Sequence, residues 1–324
     1  MKKKRTILFF TYYGNRYGTG HLYRDIQFGF TLSRSFQIYY SIRGSRSASK
    51  IFSHGNNIVS SNFTEALRKT NPDLVIYDQP HDFGVLPKFS YPKPLTMLGM
   101  DYFFYHDTRF QTIINLVNKY QKGKITIPHV YEGLEYAIIR RAIRKLSPAP
   151  VKKSIQSLLV TFGGADMSNH TSRVLEALGL LEGSFSITVI FGPLFRQKRK
   201  VESLAHMSPH TITIKYGPIE LASFLESADL VIGGSGATLM EALSLGKPCV
   251  TIPQSSEEYD FLRDSKLDHC ALVMSRTWSS KRTARALQDF FTDHPKRRQY
   301  ASMGKKRIDG NGIERIQKII SQLV

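Results

Sequence analysis

Residues 229–241 read DLVIGGSGATLME, an apolar run followed by a glycine-rich turn and the start of a helical pattern. Glycine lets the backbone turn tightly, and the helix N-terminus that follows presents bare N–H groups to a ligand. A second stretch of this kind lies near the N-terminus, where TILFFTY at 6–12 precedes YGTGHLYR at 17–24. Each stretch predicts a strand, a turn and a helix, and therefore one α/β unit in each half of the chain.

Short β-rich runs alternate with helical patterns along the rest of the chain, which is typical of parallel sheets with crossover helices. The predicted strands are 7–12, 36–41, 74–77, 95–100, 157–162, 186–191, 211–215, 230–232 and 249–252, and the predicted helices begin at Gly20, cover 63–69 and close the chain at 312–324. Prolines in LSPAP at 146–150 disfavour both helix and central strand. We therefore predict two α/β domains, 1–150 and 151–324, with the closing helix in the second.

The composition excludes a disordered chain, because 41% of the 324 residues are hydrophobic and 11% are aromatic. The formal net charge of +19 favours polyanions, which include nucleic acid, an anionic membrane surface and a phosphorylated substrate. The two cysteines lack metal-ligand spacing, and no signal-peptide core or apolar stretch of about 20 residues occurs. We expect a cytoplasmic protein that needs no cofactor and no metal.

The second glycine-rich turn is the candidate nucleotide site, since open α/β sheets bind ligands where their strands end. The turn offers backbone N–H groups and two hydroxyls to a diphosphate, and Glu241 could accept hydrogen bonds from a ribose diol. The turn is neither a Walker loop nor a GxGxxG fingerprint, so a structural turn is an equal alternative. The candidate nucleotide-binding residues are Gly163, Gly164, Gly234, Ser235, Gly236, Ala237, Thr238 and Glu241.

His21, in the first glycine-rich turn, is the candidate general base, because a neutral imidazole can take a proton from water or a hydroxyl near neutral pH. A histidine packed into the start of its own helix is the alternative. Asp78 and Asp101 each follow an apolar run and could support His21 or order a sugar, or could instead cap the next helix. His81 could line the same site or stabilise its loop.

Residues 133–145, GLEYAIIRRAIRK, carry apolar residues at helical spacing together with basic ones. The pattern predicts an amphipathic helix. Such a helix could connect the two domains with its basic side in solvent, or it could make peripheral contact with an anionic membrane. We favour the connecting helix.

Four stretches, taken in order, resemble motifs of one family. They are GTGHLYR at 18–24, GLEYAIIR at 133–140, FGGAD at 162–166 and DGNGIER at 309–315. In this order they resemble the UDP-sugar hydrolase of pseudaminic acid biosynthesis and its spore-coat polysaccharide relatives, within the GT-B nucleotide-sugar superfamily. The resemblance implies two Rossmann-like domains facing each other across a cleft, with the nucleotide held by the second.

The resemblance also implies roles for individual residues. His21 stands where the family's histidine activates water against the anomeric carbon, and Glu241 matches the ribose-binding glutamate of the superfamily. The residues expected to contact the rest of the substrate are Gly20, Arg24, Asp78 and Tyr136. The chain departs from the family at 254–260, QSSEEYD, where an Asn-Gln pair is expected.

The reaction predicted from the resemblance is hydrolysis of a UDP-sugar to UDP and a free amino or deoxy sugar for surface-glycan synthesis. A glycosyltransferase of the same fold is the main alternative, because the two enzymes differ mainly in whether water or an acceptor hydroxyl occupies the position next to His21. A nucleic-acid-binding protein has charge as its only support, so we expect no nucleic-acid partner.

Overall fold

The computed structural model describes residues 4–14, 19–44, 57–78, 86, 88–101, 105–117, 126–217 and 220–324. The chain forms two compact units, one of Met1–Ile138 with Asn311–Val324 and the other of Ile139–Gly310. This division corrects the predicted boundary near 150, since the chain leaves the first unit twelve residues earlier, and it moves the closing helix from the second unit to the first.

The first unit is built on a seven-stranded parallel sheet of order β3-β2-β1-β4-β5-β6-β7. Its strands are β1 (Thr6–Tyr13), β2 (Gln37–Gly44), β3 (Asn57–Ile58), β4 (Leu74–Asp78), β5 (Thr96–Met100), β6 (Thr112–Asn115) and β7 (His129–Glu132). Helices α1 (Gly20–Leu32) and α2 (Phe63–Thr70) lie between strands along the chain. The order reverses between β1 and β4, as in Rossmann folds, where that reversal marks the ligand-binding edge.

Aromatic packing stabilises the centre of this sheet. Seven of the eight residues of β1 are buried, as expected for a central parallel strand with both faces covered. On one face Phe9 stacks on Tyr40 at 5.3 Å between ring centroids and meets Phe28 of α1 edge to face. On the other face Phe10 stacks on Tyr77 at 5.3 Å. These contacts fix α1 and β4 against β1.

The second unit repeats the same topology with a six-stranded parallel sheet of order β10-β9-β8-β11-β12-β13. The strands are β8 (Ser157–Thr161), β9 (Ser186–Phe191), β10 (Thr211–Tyr216), β11 (Leu230–Gly233), β12 (Cys249–Thr251) and β13 (Leu272–Val273). The helices are α3 (Arg141–Arg144), α4 (His170–Leu178), α5 (Lys198–Met207), α6 (Ala222–Ser227), α7 (Ala237–Ser244), α8 (Ser256–Asp264), α9 (Ser280–Thr292) and α10 (His294–Arg307). Both units are therefore Rossmann-like, as the resemblance implied.

The last helix, α11 (Gly312–Leu323), returns to the first unit. Gly312 allows this return, because a Cβ there would lie 2.2 Å from the carbonyl oxygen of Ala137. The Arg315 guanidinium then donates to the Glu135 carbonyl at 2.8 Å. The DGNGIER motif thus holds α11 to the first unit, because its backbone at Gly312 packs directly on the backbone of residues 136–137.

The segment 133–145 is not the continuous amphipathic helix that its pattern predicts. It contains a 3₁₀ turn at Leu134–Tyr136, extended backbone at Ala137 and Arg140, and the single turn of α3. Its apolar side chains Ile139 and Ile143 are buried, at 1% and 0% exposure. These apolar residues therefore pack in the core. The chain passes from the first unit to the second within this segment. None of the described helices combines the length and the apolar character that crossing a membrane requires.

Candidate functional site

The polar cluster of the first unit lies where β1, β4 and β5 end. His21 and Arg24 stand in the first turns of α1, Asp78 is the last residue of β4, and Asp101 directly follows β5. Because parallel strands end at one edge, side chains that are distant in the sequence meet there. The described end of β1 and its neighbour β4 form the topological switch point of the sheet. The cluster therefore occupies the ligand-binding edge.

Arg24 is the centre of the cluster. Its guanidinium donates from Nε to Asp78 Oδ2 at 3.0 Å, from Nη2 to Asp78 Oδ1 at 2.5 Å and from Nη1 to Asp101 Oδ2 at 2.6 Å. His21 Nδ1 lies 2.7 Å from Asp78 Oδ1. One carboxylate, Asp78, thus orients both the arginine and the imidazole, so of the predicted roles the support of His21 fits its contacts.

The electrostatics fix the protonation of Asp78. Burial favours the neutral acid, but the charges of Arg24 and His21 and the hydrogen bonds from both side chains outweigh it, and the pKa of Asp78 lies well below its usual range. Burial likewise disfavours a charged Arg24, yet Asp101 and Asp78 hold its pKa above the usual value. Since Asp78 carries no proton, the proton in the 2.7 Å contact belongs to His21 Nδ1. Arg24 Nη2 also lies 3.1 Å from His21 Nδ1, but its N–H is taken by Asp78. In the neutral form of the imidazole, this assignment places the lone pair on Nε2.

His21 is reachable from solvent, with 19% of its side chain exposed, whereas the Asp78 side chain is fully buried. No described residue hydrogen-bonds to Nε2. A buried carboxylate behind an imidazole with a free Nε2 is the arrangement that general bases use.

The same residues also have the spacing of a metal site, which the sequence did not reveal because the three are far apart in the chain. One ligand atom each from His21, Asp78 and Asp101 lies within 4.8 Å of the others. The Arg24 guanidinium, however, donates to both carboxylates. The positive charge that these carboxylates need is supplied by the protein itself.

The remaining predicted residues of the first unit differ in what surrounds them. Gly20 is the first residue of α1, and a Cβ placed on it would have no atom within 4 Å. Packing therefore does not require a glycine at this position. The Tyr136 ring packs against the Tyr131 ring, with 5.8 Å between their centroids, and the Tyr136 backbone adjoins Gly312 at the start of α11. No described contact joins Tyr136 to His21. His81 and the turn residues 15–18 lie outside the described residues.

The second unit has two turns with adjacent glycines, Gly163-Gly164 after β8 and Gly233-Gly234 at the end of β11. Both lie at the corresponding switch point, between β8 and β11. Gly233 packs so closely that a Cβ would lie 2.4 Å from the Thr161 carbonyl oxygen. Gly236 caps the start of α7 in open space, and Ser235 is buried with its hydroxyl 3.3 Å from that of Thr251. The turn thus has a structural half at Gly233 and an open half at Gly236, Ala237 and Thr238.

The other turn, Gly163-Gly164, has the same character. Gly163 adopts a positive φ of 71° in open space, and Gly192 approaches so closely that a Cβ on it would lie 2.2 Å from the Gly163 carbonyl. Asp166 accepts from the backbone N–H groups of His170 and Thr171 at 2.8 Å and so caps α4. The aspartate of this motif is structural, and the glycines stay candidate nucleotide contacts.

Glu241 makes a contact that the sequence did not suggest. Arg140 Nε and Nη2 donate to its two carboxylate oxygens, each at 2.5 Å. Glu241 is 1% exposed, whereas a quarter of the Arg140 side chain is accessible. The bidentate pair holds the carboxylate in a fixed orientation. A ribose diol at Glu241 would have to share the carboxylate with Arg140.

The stretch 254–260 also contacts the glycine-rich turn. Glu258 accepts from the backbone N–H of Gln254 at 2.8 Å, and burial raises the pKa of its carboxyl group although the N–H of Gln254 and contacts to Ser235 act against this. The Gln254 carboxamide nitrogen would meet a Cβ on Gly234 at 3.4 Å. A glutamate therefore adjoins the turn in a region where the family resemblance led us to expect amides.

Comparison with known proteins agrees with this geometry. Residues 157–262, from β8 into α8, match the model of the glycosyltransferase family 28 C-terminal domain. Acinetobacter baumannii MurG superposes with a TM-score of 0.65 at 14% identity, covering 98% of this chain and 99% of that one. The fold is that of the GT-B glycosyltransferases. A Staphylococcus aureus MnaA–UDP co-structure gives a TM-score of 0.62 at 12% identity, covering 99% and 98%.

Two curated proteins resemble the chain in sequence. The uncharacterized protein MJ1062 of Methanocaldococcus jannaschii is 27% identical over 265 residues, which cover 74% of this chain and 53% of that protein. The spore coat polysaccharide biosynthesis protein SpsG of Bacillus subtilis is 23% identical over 209 residues, which cover 60% and 58%. The chain spans about half the length of the curated relatives it matches.

Proposed function

We propose that this protein is a nucleotide-sugar hydrolase that releases UDP and a free amino or deoxy sugar. The observation that carries the proposal is the His21–Asp78 pair, in which the buried carboxylate holds Nδ1 of an imidazole that is partly exposed. The cluster of His21, Arg24, Asp78 and Asp101 includes no serine or cysteine that could act as an acyl nucleophile. A positioned base next to solvent suits the activation of water.

In the proposed reaction, Nε2 of His21 takes a proton from water while the water oxygen forms a bond to the anomeric carbon. The bond between that carbon and the diphosphate oxygen breaks, and its electron pair leaves with UDP. The imidazolium that forms is stabilised by the Asp78 carboxylate. Arg24 keeps that carboxylate in place and neutralises one of the two aspartates.

The second unit would bind the nucleotide. The open half of its turn, Gly236 to Thr238, lies at the N-terminus of α7, where backbone N–H groups and the helix dipole favour a diphosphate. These groups would also stabilise the charge that develops on the leaving diphosphate. Gly163, Gly164, Gly234 and Ser235 would complete the turn, and Glu241 would bind the ribose. UDP rather than another nucleotide is supported by the MnaA–UDP likeness.

On the substrate side, Gly20, Arg24 and Tyr136 remain the proposed contacts, whereas Asp78, whose side chain is fully buried, would act through His21. The likeness to a spore coat polysaccharide biosynthesis protein supports a role in surface-glycan precursor synthesis. We propose a cytoplasmic location with peripheral contact to an anionic membrane, for which the net charge of +19 is the support. No nucleic-acid partner is proposed.

A glycosyltransferase with the same donor is the second candidate, and the fold favours it, since most of the similar structures are glycosyltransferases. In that case an acceptor hydroxyl, not water, would lose its proton to His21. The residues proposed for the nucleotide would be the same.

The deciding experiment measures UDP release from a panel of UDP-sugars without any acceptor. Wild type is compared with His21→Ala and with His106→Ala, an exposed histidine of the same unit. We expect release by wild type and by the control, and a loss on the order of 10²- to 10⁴-fold in His21→Ala with UDP binding intact. Turnover that requires a lipid or glycan acceptor would refute the hydrolase in favour of the transferase.

A further inference from the structure

Asp25 is a buried carboxyl group directly behind the catalytic cluster. It lies one helical turn after His21 on α1 and next to Arg24, and its exposure is 0%. Among the described residues, no group donates a hydrogen bond of ordinary geometry to either carboxylate oxygen. Its carboxyl group interacts with the Asp78 carboxylate, which favours the neutral acid, and with the Thr11 hydroxyl, which favours the ionised form. The Thr11 hydroxyl is itself buried without a partner among them.

An ionised carboxylate in such a place is unfavourable. A buried charge without donors loses its hydration, and two adjoining carboxylates cannot both ionise easily. Asp78 is the member of the pair that ionises, because Arg24 and His21 both donate to it. Burial first, and then the charge of Asp78, raise the pKa of Asp25, while Arg24 acts in the opposite direction.

The charged and titratable groups around Asp25 come from several elements. His21 and Arg24 lie on its own helix, Asp78 ends β4, and Asp101 follows β5 beyond Arg24. From β2 the Tyr40 hydroxyl donates to the Asp25 main-chain carbonyl at 3.5 Å. Arg24 is thus the cation of this set, and two hydrogen-bonded carboxylates already share it.

We propose that Asp25 is a protonated carboxylic acid at neutral pH and positions the His21–Asp78 pair by donating its proton to the Asp78 carboxylate. The neutral acid leaves Asp78, Asp101 and Arg24 with a net charge of −1, which becomes zero when His21 accepts a proton. An ionised Asp25 would add a second net negative charge beside Asp78. The catalytic part of this inference rests on the proposed function.

Two substitutions separate the donor from the charge. Asp25→Asn keeps a neutral group that can donate to Asp78, and Asp25→Leu keeps a neutral group of similar size that cannot. We expect kcat of Asp25→Asn to stay within about threefold of wild type with the same pH profile. Asp25→Leu should lose about 10- to 100-fold in kcat with KM little changed, and a shifted pH profile. Loss of activity in a folded Asp25→Asn protein would overturn the positioning role.

The protonation itself is tested without substrate, so that it does not depend on hydrolysis. In urea unfolding between pH 4 and 8, the wild type takes up one proton on folding that Asp25→Asn does not. Its unfolding equilibrium constant should therefore rise relative to that of the variant by up to about tenfold per pH unit above the aspartate value of about 3.9. If the ratio of the unfolding equilibrium constants of wild type and Asp25→Asn does not change with pH, or changes in the opposite direction, Asp25 is not protonated in the folded protein.

A measurement on wild type keeps the inference testable if the variants fail to fold. Carbon-13 NMR of aspartate-labelled protein should show one carboxyl carbon with the shift of a protonated acid at pH 7. If no such signal occurs, the inference is wrong whatever the enzyme's reaction. If the signal occurs and UDP-sugars are not hydrolysed, the proposed function fails while the protonated Asp25 stands.

Discussion

The Arg140–Glu241 pair predicts a large stability effect. Both carboxylate oxygens of Glu241 accept from Arg140 at 2.5 Å, and the glutamate is 1% exposed. Arg140→Met removes both donors and leaves the carboxylate buried. Breaking a buried ion pair in this way costs about 3 to 5 kcal/mol. Because a quarter of the Arg140 side chain is accessible, water can replace part of the interaction, and we expect about 2 to 3 kcal/mol.

The magnitude is tested by a double-mutant cycle. Glu241→Gln in the Arg140→Met background removes the stranded charge, so the double variant should recover at least about 1.5 kcal/mol of the sum of the single losses. Arg199→Met, at an exposed arginine of α5, is the matched control and should stay within about 0.5 kcal/mol of wild type. Urea unfolding followed by circular dichroism gives each free energy. Single losses that add within about 0.5 kcal/mol would show that the two side chains do not interact, and would refute the reasoning.

Three further predictions concern pH and backbone packing. Asp78→Asn should destabilise the protein at pH 7 by roughly 2 to 4 kcal/mol. Since the pKa of Asp78 is lowered, its contribution is fully present above about pH 4 and shrinks as the pH falls towards the lowered pKa, so a stability difference from wild type that is as large at pH 2 as at pH 7 in urea unfolding would contradict this. Gly233→Ala, whose Cβ would lie 2.4 Å from a carbonyl oxygen, should lose about 1 to 3 kcal/mol of stability in thermal unfolding. Gly236→Ala, in open space, should keep its stability and lose UDP affinity. Equal melting temperatures of the two variants would be evidence against the packing argument. Gly312→Ala should detach α11 and expose it to limited proteolysis, because its Cβ would clash with the Ala137 carbonyl oxygen. If the variant resists the protease as well as the wild type does, the clash does not detach the helix.

Much of the fold was predictable because apolar runs and their spacing depend on local sequence. The nine predicted strands correspond to β1, β2, β4, β5 and β8 to β12, within about three residues at either end. The short strands β3, β6, β7 and β13 were not predicted, and β3 and β13 have only two residues each. β6 has only four residues, and β7, His129–Glu132, has none fully buried, so neither carries an apolar run long enough to stand out.

The segment 133–145 shows where a periodic pattern misleads. Its apolar residues do repeat at helical spacing, but Gly133 at φ 143° and the extended Ala137 and Arg140 break any continuous helix. Ile139 and Ile143 are nevertheless buried. Periodicity therefore identified which residues reach the core and not the backbone conformation that takes them there.

The candidate site was predictable only in part, for a different reason. His21 and Asp78 were identified separately from the turn and the strand end, but their 2.7 Å contact depends on tertiary structure. The pairing of Glu241 with Arg140 crosses 101 positions of sequence and has no local signal. Asp25 could have been noticed, because it lies four residues after His21 and so on the same face of α1.

The return of α11 to the first unit also has a consequence for the order in which the chain folds. Residues 139–310 form one unbroken stretch that interrupts the other unit, so the second unit is topologically an insertion. During synthesis its whole sequence is made before Gly312 and Arg315, the residues that pack on 135–137. Loop closure over such a distance is slower than local contact, and domains fold as units when they emerge. The inserted unit should therefore be native first, while the unit that begins the chain waits for the last helix to be made.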